Sequence, residues 1–369
     1  MILRKSIALL CAAALLASCA DVPEDVKTSA GSSPADSTAA SAAEAPAGDS
    51  TAESSAFGEY DNIKFAPTFA VCPGQPEDIG IYEAQRRTDL TEHSEEIFKA
   101  FFGEDFDSAG TVKTETDVSF AHDGIELHVV PNYIYFTDRN EAGKNLTYTN
   151  DDTLEALCEV TDSFMDERLA LAEGEATVGE LSSRLEGFVA GLKEAGLGEY
   201  RPFTLSSLTN AKQGRSLPTT LLTYRKYFKG LPVFNLNYCS RTGEAPELSY
   251  KLIESDSVSF VSADRFFSGG FSSEYTEVRR VGEADSILTP EQAVETASRE
   301  LAAYLDLTAL RLDLVYVPVI PEGAADNSEV TLTPYWQLAF GLQPLSEHYA
   351  LINALTGKVI YYEERREQS

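Results

Sequence analysis

The stretch Leu288–Leu307, LTPEQAVETASRELAAYLDL, decides how the rest of the chain is read. Thr289 stands where a helix N-cap belongs, Pro290 at the first helical position and Gln292 at the third, the pattern of a capping box. Ala293, Val294, Ala297, Leu301, Tyr304 and Leu305 recur at helical spacing and predict one amphipathic helix. The pattern then changes to alternation. In LRLDLVYVPVI, Leu310, Leu312, Leu314 and Tyr316 share a face. In VTLTPYWQLAFGL, Val330, Leu332, Trp336, Leu338, Phe340 and Leu342 do the same. HYALINALTGKVIYYEE reads as two short strands joined around Thr356-Gly357, where Gly357 supplies a positive φ. The order is a helix followed by a meander of strands. Trp336 is expected to lie buried against the helix face of Val294, Ala297 and Leu301.

The same order recurs upstream. TVGELSSRLEGFVAGLKEAGL pairs Thr177 with Glu180 as a second capping box. Val178, Leu181, Leu185, Phe188, Val189 and Leu192 form its apolar stripe, and Gly196 marks its end. After EYRPFTLSSL, the segment TTLLTYRKYFKGLPVFNLNY reads as a hairpin turning at Lys229-Gly230. Strands at about 247–262 and 273–281 complete that sheet. A third copy lies nearer the front. Asp89 and Glu92 are placed to cap a short helix carrying Ile97, Phe98, Phe101 and Phe102. TETDVSFAHDGIELHVV then predicts a hairpin with an Asp123-Gly124 turn, and NYIYFTD a further strand. Leu154, Leu157, Val160, Phe164 and Leu169 predict a connecting helix at about 152–172.

YRKYFKGLPVFN resembles the hairpin of secreted PepSY-like modules and of two-component accessory proteins of the YycH and YycI type. PYWQLAF…YALINALTGKVIYYEE resembles their final strands, with Asn353 where Asp is commoner. The resemblance covers residues 177–369 and is to lipoproteins of Clostridia-like, Gram-positive type bacteria. It brings no catalytic residues. The expected fold class is α+β, repeated units of one helix packed on an antiparallel meander, PepSY/cystatin-like. The expected division is 57–150, 151–285 and 286–369, three α+β units in series.

Ahead of them the chain opens MILRKSIALLCAAALLASCA. Arg4 and Lys5 precede an apolar run from Ile7 to Leu16, too short for a helix of about 20 residues to span a bilayer. Leu16-Ala17-Ser18-Cys19 resembles the bacterial lipobox. That resemblance implies a signal peptide over 1–18, removed by cleavage, and a diacylglycerol thioether on Cys19. Residues 21–56 are almost all Ala, Ser, Thr, Pro, Gly, Asp and Glu. Such a segment buries too little apolar surface to offset its ordering entropy, so 19–56 is expected to be a disordered tether. A coil of that length reaches roughly 30–35 Å. The expected location is the outer face of the cell membrane, held by lipid.

The formal net charge of −30 argues against nucleic acid, which requires a basic footprint. Cys72, Cys158 and Cys239 are odd in number, so they allow at most one disulfide, and their spacing matches no zinc site. There is no HExxH, GxSxG, SxxK, CxxC, P-loop or GxGxxG, and no cofactor is expected. His122 and His128 lie on opposite strands of one hairpin and read as surface residues rather than metal ligands. DRNEAGKNLTYT, from Asp138, looks like a damaged calcium loop but reads as a polar turn, because Ala142 breaks position five and Thr149 replaces the bidentate Glu. Against the acidic background stand Arg225, Lys226 and Lys229. They suggest either a docking edge for an acidic or extended peptide, or an edge strand protected by charge. The chain thus reads as a non-enzymatic binding or regulatory protein engaging a peptide, a protease or a sensor ectodomain. The alternative is a cell-wall or glycan hydrolase whose carboxylates meet only on folding.

Overall fold

The computed structural model describes residues 57–74, 78–139, 152–159, 165–166, 168–171, 174–210, 218–234, 256–262, 265–283, 286–303, 307–319, 329–340 and 348–363. In chain order the elements are β1 (Ile63–Cys72), β2 (Gly80–Arg86), α1 (Ser94–Phe102), β3 (Val112–Lys113), β4 (Val118–His122), β5 (Ile125–Val130) and β6 (Tyr133–Asp138). There follow β7 (Asp152–Glu159), β8 (Arg168–Leu171), β9 (Gly174–Thr177), α2 (Val178–Glu194), β10 (Glu199–Asn210), β11 (Pro218–Phe228) and β12 (Leu231–Pro232). The last are β13 (Ser257–Ser262), β14 (Arg265–Ser272), β15 (Tyr275–Glu283), α3 (Pro290–Glu300), β16 (Leu307–Val319), β17 (Glu329–Ala339), β18 (His348–Asn353) and β19 (Val359–Glu363). The protein is α+β and mostly β.

Two sheets carry the fold. The first runs β1-β16-β17-β18-β19, with β2 also on β17 and β15 on β2. The second runs β3-β4-β5-β6-β14-β13-β11-β10-β7, with β12 on β11. β8 and β9 form a separate hairpin.

Both capping boxes form reciprocally. Thr289 accepts from the Gln292 amide while the Gln292 side chain accepts from the Thr289 amide, and Thr177 and Glu180 do the same for α2. α3 packs Ala293, Val294 and Ala297 on a core with Leu312, Leu314, Leu332, Leu338 and Ile352. Trp336 is 1% exposed in that core, as expected, and its indole N–H donates to the Leu288 carbonyl at 2.8 Å. Asn62, from ahead of β1, closes the other end of α3. Its side-chain amide donates to the carbonyls of Ser298 (3.0 Å) and Leu301 (2.8 Å), which the last helical turn leaves without intrahelical donors.

The turns form as their residues require. Asp123 and Gly124 have φ of 46° and 84°, and Lys229 and Gly230 have φ of 47° and 78°. Positive φ at both central positions is what a two-residue hairpin needs. Asn353 organises the last turn by accepting from the amides of Leu355 and Thr356.

Four expectations are corrected. Of the connecting helix expected at 152–172, the described residues 152–159 and 168–171 are instead β7 and β8. The helical spacing of its apolar residues is a short-range signal. Pairing of β7 with the outer side of β10 satisfies backbone groups of both strands, and this tertiary pairing prevails. Asp89 does not cap a helix, because its carboxylate accepts from Arg87 Nε at 2.5 Å and a 3₁₀ turn, Leu90–His93, precedes α1. The serial repeat is also not found. α1 and α2 share one core on the second sheet, through Ile97 and Phe98 with Leu181, Leu185 and Phe188. The first sheet joins β1 and β2 to the C-terminal meander, so boundaries at 150 and 285 do not separate the sheets. β15, expected in the second sheet, pairs instead with β2 in the first.

Candidate functional site

The YRKYFKG segment lies where the two sheets meet. It is not a free edge. Over Thr220–Thr223, β11 pairs with β10 on one side and β13 on the other. Further along, the Tyr224 amide donates to the Asp256 carbonyl and the Lys226 carbonyl accepts from the Val233 amide. Beyond the turn the chain reaches the first sheet, where Phe234 donates its amide to the Tyr316 carbonyl at 2.7 Å.

Each expected docking residue has an internal role. Arg225 donates through Nη1 to Asp313 on β16 at 3.1 Å. Arg311 Nε approaches the other Asp313 oxygen at 2.6 Å, and both guanidinium groups lie over the Phe203 ring. Asp313 is 1% exposed. Burial pushes its pKa up, but the two arginines outweigh that and hold it below the usual carboxylate range. Lys229 sits over the Tyr82 ring of β2, whose neighbours are Phe228 and Tyr316. Lys226 points the other way along the strand's alternation and is buried, with Nζ donating to the Ser273 carbonyl at 2.5 Å.

Around Lys226 is a buried polar cluster drawn from both sheets. Asp256 Oδ1 accepts from the Ser272 amide at 2.8 Å and the Ser272 hydroxyl at 3.0 Å. Tyr200 donates its hydroxyl to the Ser272 carbonyl. Arg86, the last residue of β2, and the Tyr275 ring complete the enclosure. Burial lowers the Lys226 pKa to about 7, with Asp256 pulling it up and Arg86 pushing it down. Burial raises Asp256 above the usual range, against the pull of Lys226 and the Ser272 hydrogen bonds. Among the described residues, Lys226 and Arg86 lie here with Asp256, and Glu274 adds a second carboxylate nearby. Arginine keeps its proton, so Lys226 is the group that yields one.

Sequence reading did not single out Arg86, Asp256 or Asp313. A faint signal was present. Lys226 shares strand parity with Tyr224 and Phe228, and Asp313 interrupts an otherwise apolar run, LDLVYV.

The histidines of the β4–β5 hairpin are not brought together, since His128 lies opposite Ser119. His128 is held between Asp117 (2.8 Å) and Glu126 (3.0 Å) and stacks on Tyr135 at 4.6 Å. Burial lowers its pKa, but the two carboxylates outweigh this and raise it above 6.5. A His raised on folding stabilises fully below its unfolded value, and the contribution fades as pH rises through the folded value. His128→Gln is therefore expected to lower the melting temperature more at pH 5.5 than at pH 8.5. Equal losses at both would remove this ion-pair role. Among the described residues no group of three or more His, Cys, Asp and Glu side chains is placed to hold a metal. The calcium-like loop from Asn140 onward, Cys19 and the 21–56 tether lie outside the described residues.

No family model and no curated protein matches the chain. Among solved structures it is similar to an uncharacterized protein from Eubacterium rectale, at 11% identity and a TM-score of 0.45, over 81% of this chain and 92% of that one.

Proposed function

We propose that this protein is a lipid-anchored binding or regulatory ectodomain at the outer face of the membrane, held by a diacylglycerol on Cys19. The observation that carries the reading is Leu16-Ala17-Ser18-Cys19 after a basic start and a short apolar run. The Ala/Ser/Thr/Pro/acidic composition of 21–56 supports a spacer between anchor and body. The chemistry of the body fits binding better than catalysis. Buried Asp313 pairs with Arg225 across the two sheets, while Lys226 and Asp256 are engaged by Ser273 and Ser272 at the end of β14. Trp336 is a core residue, so it offers no exposed platform for a sugar ring. The partner class is a peptide, a protease or a sensor ectodomain.

The test is detergent-phase partitioning of the wild type and Cys19→Ser expressed in a Gram-positive host. The wild type is expected in the detergent phase, and the variant as a soluble or uncleaved form. Unchanged partitioning of the variant would refute the anchor.

A further inference from the structure

β10 carries a bulge beside the place where the two sheets meet. Pro202 pairs with Tyr224 and Thr204 with Thr223, so Phe203 is an extra residue with no partner on β11. Pro202 has no amide to donate, which suits it to such a position. Among the described residues β7 accompanies β10 only from Thr204 onward, so residues 199–203 lie past its end. A bulge re-aims a side chain. Here the Phe203 ring comes to lie beneath the Arg225 guanidinium, 3.5 Å from its centre.

Two arginines stand directly opposite each other at this bulge, Arg201 on β10 and Arg225 on β11. Tyr200 and Tyr224 turn toward the helix-covered core, so alternation puts Arg201, Arg225 and Tyr227 on the other face of the sheet. Like charges in a cross-strand pair destabilise a sheet, and this pair occurs in a chain of net charge −30. Each guanidinium lies over an aromatic ring, Arg201 over Tyr227 at 4.1 Å and Arg225 over Phe203. Each also shares its carboxylate with a second cation. Glu199 meets Lys193 as well as Arg201, and Asp313 meets Arg311 as well as Arg225. We propose that Arg201 and Arg225 form a binding site for the carboxylate side chains of an acidic peptide.

The donors support this. Arg201 gives Nε and Nη2 to Glu199 Oε1, at 2.8 and 2.6 Å, and keeps Nη1. Arg225 gives Nη1 to Asp313 and keeps Nε and Nη2, which form one edge of its fork. A guanidinium edge of that kind matches a carboxylate bidentately. The Arg201 side chain is 54% exposed, so a ligand reaches it from solvent. Arg225 is fixed by its ion pair and its ring contact, so less entropy is lost when it binds. Phe203 and Tyr227 give the aliphatic stem of a glutamate an apolar surface beside each charge.

Arginines on neighbouring strands suit two acidic side chains of one extended segment. Recognition runs through side chains rather than strand addition, because Pro202 and the bulge interrupt the regular edge of β10. The site deepens the peptide-binding reading above and rests on it. It is independent of the lipid anchor, so detergent partitioning and peptide binding fail separately.

Titration of a fluorescein-labelled hexaglutamate peptide with the full chain, read by anisotropy, tests the site. Wild type is expected to bind saturably. Arg201→Gln removes an exposed charge and is expected to weaken binding about tenfold, the scale of one hydrogen bond between charged groups. Arg225→Lys keeps a cation for Asp313 but loses the fork, and is expected to weaken binding by a similar factor, with melting temperature as the folding control. Arg279→Gln, which removes an exposed cation on β15, is expected to bind as wild type does. Absence of saturable binding by wild type overturns the site, as does equal binding by wild type and Arg201→Gln. An equal loss in Arg279→Gln means general charge attraction and also overturns it. Phosphatidylglycerol vesicles are the last arm. Arg201-dependent capture of vesicles without capture of the peptide overturns the assignment of the ligand.

Discussion

Asp313→Asn is expected to lower the unfolding free energy by about 3–5 kcal/mol, the usual cost of breaking a buried ion pair from one side. Asp313 joins Arg225 of the second sheet to Arg311 of the first, and its side chain is only 2% exposed. Removing its charge leaves two guanidinium groups facing each other over Phe203 with no carboxylate between them. The cost lies mainly in that uncompensated charge, so a second variant separates it from lost packing. Replacing all three groups together, Arg225→Met, Arg311→Met and Asp313→Leu, should recover most of the stability, since well-packed apolar residues often match a buried ion cluster. Chemical denaturation of wild type, single and triple variants measures both. A single-variant loss under about 1 kcal/mol would class the contact with exposed salt bridges, which contribute little. The pH dependence has a definite sign. Asp313 has a lowered folded value, so its contribution is present above the unfolded carboxylate range and is lost as pH falls through the folded one.

Trp336→Ala is expected to cost about 3–5 kcal/mol by leaving a cavity between α3 and the β16–β19 meander. Trp336→Phe should cost less. It keeps an aromatic ring but leaves the Leu288 carbonyl without its donor at 2.8 Å, which adds about 1–3 kcal/mol. Trp336 is the single tryptophan, so its fluorescence reports the site without labelling. Blue-shifted emission with poor acrylamide quenching is expected. Red-shifted, freely quenched emission would place the indole in water and contradict the core.

The two predictions concern opposite sides of one architectural fact. Trp336 secures a helix to a sheet within one stretch of chain. Asp313 secures one sheet to another across the fold. Adjacent residues of β11 carry the Arg225–Asp313 contact and the Lys226–Ser273 hydrogen bond.

What the sequence by itself determined is local. Thr177 with Glu180 and Thr289 with Gln292 each contain both halves of a capping box within four residues, and both boxes form. Asp123-Gly124 and Lys229-Gly230 carry their turn conformation in their own residue types, and both turn there. Alternation placed Trp336 in the core because strand parity fixes which side chains face together. The tertiary structure decided the rest. Residues 152–159 became a strand because β10 offered a partner, which no window of that segment reveals. β1, β2 and β15 joined the C-terminal meander through pairings with distant strands. Arg225 and Lys226 look like a solvated basic edge in sequence, where a charge on a strand reads the same beside water as beside a buried acceptor. Their partners lie 88 and 47 positions away, and only chain folding brings Asp313 and Ser273 to them. Periodicity and capping are short-range, whereas strand pairing and charge compensation are not. The same residues that look made to attract a partner are therefore used to hold the protein to itself.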